Sequence, residues 1–137
     1  MRYYLDFEAT QMGGRIISIG CVNEKNAIFH SLCKPSKKEN IGKKVEKMTG
    51  ITNEKLKSAL SAEVVWNSFY NWIIETNTDN TTPIFYVYGN TDTCFIDKTI
   101  KYMKDTKAIL AATSVKSLIV DYHNITSRYF KKSMKLS

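Results

Sequence analysis

Two carboxylates one residue apart, Asp6 and Glu8, stand in the otherwise apolar stretch Arg2-Tyr3-Tyr4-Leu5-Asp6-Phe7-Glu8 near the start of the chain. A strand repeats every two residues, so both acids project from one face. Like charges side by side on a largely buried strand repel and are costly to desolvate unless a cation lies between them, and carboxylate oxygens suit Mg²⁺ or Mn²⁺. The same pattern also fits an edge strand whose acidic face is wet. A third acid favours the metal reading. In Tyr86-Val87-Tyr88-Gly89-Asn90-Thr91-Asp92 the last residue falls just past an apolar strand, at the mouth of the next helix. Ligands of open α/β sheets gather at such strand ends. Taken alone Asp92 also fits a helix N-cap; with Asp6 and Glu8 it is a third candidate ligand.

The elements that must position these acids follow from periodicity and punctuation. After the first strand, Gly13-Gly14 signals a turn, and Arg15 to Val22 and Ala27 to Cys33 read as two further strands of an antiparallel meander. From Lys34 to Lys47 six lysines face two glutamates around Pro35 and Gly42, a loop leading into a short helix that ends near Gly50. Thr52 caps a second short helix, Asn53 to Ala59, and Ser61 caps a longer one with Glu63 in its first turn. Val65, Phe69, Trp72 and Ile73 form the core-facing stripe of that longer helix. A polar loop, Asn77 to Thr82, precedes the strand Ile84 to Tyr88, which Gly89 closes. The remainder reads as a helix from Thr93 to Lys104, a strand near Leu118 to Val120 and a basic helix from Tyr122 to Lys132, with Asp121 as its N-cap. This order predicts an α/β fold, a mixed sheet with helices over both faces.

At 137 residues and 43% hydrophobic content the chain is sized for one domain with a packed core, and disorder is excluded. No apolar run approaches 18 residues, so neither a transmembrane helix nor a signal peptide is expected. Cys21, Cys33 and Cys94 fall at no metal-ligand spacing, and their odd number fits a reducing, cytoplasmic setting. The net charge of +7 favours a polyanionic partner. Lysines between Lys34 and Lys47, with Arg128, Lys131, Lys132 and Lys135, are available to contact phosphates or simply to solvate the surface.

Three segments in order, Leu5-Asp6-Phe7-Glu8-Ala9-Thr10, Met48-Thr49-Gly50-Ile51-Thr52 and Tyr88-Gly89-Asn90-Thr91-Asp92, resemble the motifs of the DnaQ-like (DEDD) 3′-to-5′ exonuclease superfamily. The third looks most like the branch holding histone-mRNA-type and small-RNA exonucleases. The resemblance implies a ribonuclease-H-like fold and phosphodiester hydrolysis with two Mg²⁺ or Mn²⁺ ions on single-stranded RNA or DNA 3′ ends. By the same carry-over Asp6 bridges both ions, Glu8 holds the ion that activates water, and Asp92 serves the second. Ala9, Thr10, Met48 and Thr49 would cradle the terminal nucleotide, while Phe7 reads as plain core.

The chain departs from the family at the third motif, His-x4-Asp or Tyr-x3-Asp. Pro35 and Arg128 stand five residues after His30 and His123, and the Asp of Tyr88-x3-Asp92 already serves the second motif. The resemblance therefore implies one exonuclease domain over 1–137, cut short at its C-terminus and weak or inactive on its own, with a protein partner or oligomer as one way to complete it. The alternative is a catalytically silent nucleic-acid-binding or regulatory module in a larger nucleic-acid-processing complex.

Overall fold

A computed structural model describes residues 1–11, 14–35, 40–89 and 91–122. Its centre is the strand carrying the two acids. β1 (Arg2–Ala9) pairs antiparallel with β2 (Ile16–Asn23), which pairs antiparallel with β3 (Ile28–Lys34). On the other side β1 pairs in parallel with β5 (Ile84–Val87), and β5 in parallel with β6 (Ile119–Asp121). The two-residue β4 (Leu60–Ser61) extends the β3 edge, giving the order β4-β3-β2-β1-β5-β6. It is a mixed α/β sheet with flanking helices, as the sequence predicts.

Alternation along β1 decides which face is which. Tyr3, Leu5, Phe7 and Ala9 are buried, whereas Arg2, Tyr4 and Asp6 are exposed and Glu8 is half-buried. The buried face packs under α3 (Ala62–Thr76), α4 (Thr91–Ile100) and α5 (Thr106–Ser117), and Val65, Trp66, Phe69, Ile96, Ala108, Ala112 and Val115 join Phe7 in one core. Phe7 is thus core, and the stripe read on the longer helix faces inward, Trp72 only partly. Cys21 and Cys33 lie in the same core, where burial pushes both thiols up to about 12, leaving them inert.

Helices flank both faces, as expected, but unevenly among the described residues. The three long helices share one face, and the other is covered only at one corner by α1 (Lys43–Thr49) and α2 (Asn53–Lys57), through a small cluster of Ile17, Ile41, Ile51 and Leu56. A bulge makes that corner possible. The β1–β2 register jumps from Glu8↔Ser18 to Ala9↔Ile16, so Ile17 is the extra residue and its side chain joins the second cluster instead of the main core. The proposed basic helix 122–132 begins with Tyr122, and the rest of it lies outside the described residues, as do Gly13, Lys37, Lys38, Asn90, His123, Arg128, Lys131, Lys132 and Lys135. No helix among the described residues is long and apolar enough to cross a membrane.

Candidate active site

Asp6 and Glu8 lie on the sparsely covered face, at the floor of a groove of about 380 Å³ lined also by Ser18, Gly20, His30, Leu32, Thr49, Gly50, Ile51 and Lys55. The register arranges the floor in rows. Asp6 stands opposite Gly20, and Gly20 opposite His30; Glu8 stands opposite Ser18, and Ser18 opposite Leu32. The Ser18 hydroxyl and His30 Nε2 are hydrogen-bonded at 3.3 Å, which leans the imidazole toward the Glu8 row.

One wall is the turn between α1 and α2. Gly50 ends α1 in the left-handed region at φ 72°, its N–H donating to the Glu46 carbonyl at 2.8 Å. Thr49 Oγ1 donates to the Val45 carbonyl and accepts from the Ile51 N–H. Thr52 caps α2 by accepting the Lys55 N–H at 3.1 Å, and Lys55 Nζ returns to the Gly50 carbonyl at 3.0 Å. Asn53 fixes the approach to α1 by accepting the Ile41 N–H at 2.8 Å. All but the Ile41–Asn53 bond involve a residue of the second sequence motif.

Asp92 reaches β1 from its other edge. The parallel β1–β5 ladder stops at Tyr4↔Tyr86 while β1 runs on, and beyond it Asp92, second residue of α4, accepts the Phe7 N–H at 3.4 Å through Oδ1. Asp92 is only 7% exposed. Burial, and after it the charges of Asp6 and Glu8, raise its carboxyl to about 6 against the pull of the Phe7 N–H. Burial also raises Asp6, and burial and then Asp6 raise Glu8. The Asp6 charge thus opposes ionisation of Glu8, and both oppose that of Asp92, around the middle of β1, and the hard oxygens of all three suit a divalent cation. Asp6 and Glu8 open into the groove, whereas Asp92 is tied to the β1 backbone. Among the described residues no three His, Cys, Asp or Glu side chains stand close enough to hold an ion as they are placed.

The other sequence-predicted residues divide. Thr49 lines the groove, and Met48, 76% exposed, sits next to it on α1 outside the lining. Ala9 and Thr10 are buried, and the Thr10 N–H donates to the Arg15 carbonyl at 2.9 Å. Asp121, expected as the N-cap of the last helix, ends β6 immediately before helical Tyr122 and accepts the Gly89 N–H at 2.9 Å, so it steadies the turn that leads toward Asp92, while the rest of that helix lies outside the described residues. Ser18, Gly20, His30 and Lys55 enter the groove without any local sequence signal. Only the β1–β2–β3 register would have found the first three.

The chain matches the RNase_T family, described as exonuclease, over residues 4–136. No curated protein sequence matches it. Among solved structures it is similar to the nuclease domain of 3′hExo, a DEDDh family member, bound to rAMP, with 18% identity, a TM-score of 0.62, and coverage of 73% of this chain and 57% of that one. A 3′-exonuclease in a structure of 3′-end specific recognition of histone mRNA stem-loop gives 17% identity, a TM-score of 0.64, and coverage of 73% and 40%. Product-bound exonuclease I gives 11% identity, a TM-score of 0.65, and coverage of 91% and 30%. At such identities the likeness shows the fold. The chain spans 57% or less of each of these proteins.

Proposed function

Because this chain belongs to the RNase_T exonuclease family, within the DnaQ-like DEDD superfamily, we propose that it removes nucleotides from single-stranded RNA or DNA 3′ ends with two Mg²⁺ or Mn²⁺ ions. The observation that supports the reading is the pair Asp6 and Glu8 on the groove floor with Asp92 hydrogen-bonded to the backbone between them, each raised by burial and the latter two also by neighbouring charge. Asp6 and Glu8 would hold ions from the groove floor, and Asp92 would do so on releasing the Phe7 N–H. When bound, the ions lower the pKa of the attacking water and offset charge on the phosphate. Thr49 and the Gly50 turn shape the wall beside the strand end, and Lys55 supplies a cation to draw the backbone in. The histone mRNA stem-loop recognised in one similar structure and the rAMP bound in another support a nucleic-acid substrate here.

A second reading, a silent nucleic-acid-binding module, is favoured by the sequence's lack of a His-x4-Asp or separate Tyr-x3-Asp motif. A positioned general base is worth about 10² to 10⁴ in rate, so the expected activity of this polypeptide alone is weak, and a partner supplying that group would raise it. The test is incubation of 5′-labelled single-stranded RNA and DNA with the protein in Mn²⁺, beside Asp6→Ala and EDTA controls. A descending ladder that needs both metal and Asp6 is the expected result. Binding without any ladder, from a folded protein, establishes the second reading instead.

A further inference from the structure

Gly20 holds the centre of the groove floor, between Asp6 on one strand and His30 on the other. Its backbone does not demand glycine, since positive φ among the described glycines belongs to Gly50 and Gly89. Its neighbours do not demand it either. A Cβ at Gly20 would meet the Asp6 carbonyl at 3.7 Å and His30 Cδ2 at 3.9 Å, ordinary contacts. The missing side chain therefore leaves a bare strip between carboxylate and imidazole. Two strand spacings separate the β1 and β3 backbones there by about 10 Å, so a ligand seated on the Asp6 and Glu8 carboxylates reaches the His30 ring within the length of one nucleotide.

We propose that the terminal nucleotide lies across Gly20 with its phosphate at Asp6 and Glu8 and its base against His30, which makes His30 a specificity-determining residue; this rests on the nuclease reading above. His30 is exposed on β3 and free to meet a ligand, while the Ser18 hydroxyl at 3.3 Å fixes the ring's orientation. An imidazole offers a flat face for stacking and ring nitrogens for hydrogen bonding, the two means by which unpaired bases are recognised. Lys55, pinned to the Gly50 carbonyl, bounds the same groove from α2. A Cβ fits at position 20 in the free fold, whereas a bulkier side chain there would occupy the seat.

The test is calorimetric titration of the full chain with 5′-AMP and with ribose 5-phosphate in Mg²⁺, using wild type, His30→Ala, His30→Phe and Gly20→Val. Wild type is expected to bind 5′-AMP more tightly than ribose 5-phosphate. His30→Ala should weaken 5′-AMP about tenfold and leave ribose 5-phosphate unchanged, and His30→Phe should restore most of the loss. Gly20→Val should abolish 5′-AMP binding while its thermal unfolding remains cooperative. Equal affinity of wild type for the two ligands, no 5′-AMP binding by folded wild type, or undiminished binding by His30→Ala and Gly20→Val would each overturn the proposal. The labelled-RNA assay on the same proteins separates the two claims. His30-dependent 5′-AMP binding without cleavage removes the nuclease reading and keeps the seat; cleavage at the wild-type rate in both variants removes the seat and keeps the nuclease.

Discussion

Asp92 joins the electrostatics of the site to its stability. Its carboxyl is raised from 3.8 to about 6, first by burial and then by Asp6 and Glu8. The folded state therefore holds a proton that the unfolded chain has released over that interval. Metal-free protein should have this contribution in full below about pH 4 and lose it as pH rises through 6, by at most about 3 kcal/mol at 1.36 kcal/mol per unit. Asp92→Asn keeps an oxygen for the Phe7 N–H and removes the titration, so thermal melts in EDTA at pH 7.5 should show the variant more stable than wild type. Mn²⁺ should stabilise wild type at that pH and do little for the variant. Wild-type stability that is flat between pH 4 and 7 in EDTA would remove this account. Asp6, Glu8 and Asp92 were legible in the sequence because two are strand-periodic and the third follows a strand end. Their neighbours His30 and Gly20 were not, because cross-strand register is set by pairing and is absent from local spacing.

At the scale of elements, the α1–α2 turn is one wall of the groove. Gly50 at φ 72° and the Thr52 cap hold Thr49 and Lys55 at the groove, while Ser61, outside the groove lining, caps α3 by accepting the Val64 N–H at 3.3 Å. Gly50→Ala, Thr52→Ala and Ser61→Ala should each cost about 1 kcal/mol, seen as a lower urea midpoint with unchanged slope. Only the first two should also weaken 5′-AMP binding. An equal loss of affinity from Ser61→Ala would mean that the wall responds to global stability and not to its own caps. These caps were readable because Ser, Thr and Gly carry their geometry in their identity. The helix α5 has little signal in the sequence. Its buried face is Ala108, Ala111, Ala112 and Val115, small residues that let helices approach closely but give a faint apolar stripe. β4, two residues long, exists only by pairing with β3.

For the molecule as a whole, the groove and the surface have opposite charge. The chain carries +7, yet the floor of the groove is acidic, and three carboxylates repel a phosphate until cations offset them. Affinity for single strands in EDTA must then come from the basic surface, with log affinity falling against log salt by about 0.7 per phosphate contacted. Such binding should be indifferent to the chemistry of the 3′ end, because the end cannot enter an uncompensated acidic groove. Divalent cation changes this. With Mg²⁺ present, fluorescence anisotropy should show an oligonucleotide with a free 3′-hydroxyl binding more tightly than the same strand blocked by a 3′-phosphate, with the salt slope nearly unchanged, since the ions add a local contact without altering the lysines. Asp6→Asn should erase the preference and keep the salt-dependent part. A preference for free ends that persists in EDTA would place end recognition outside the carboxylates, and affinity indifferent to salt would remove the basic surface from the interaction.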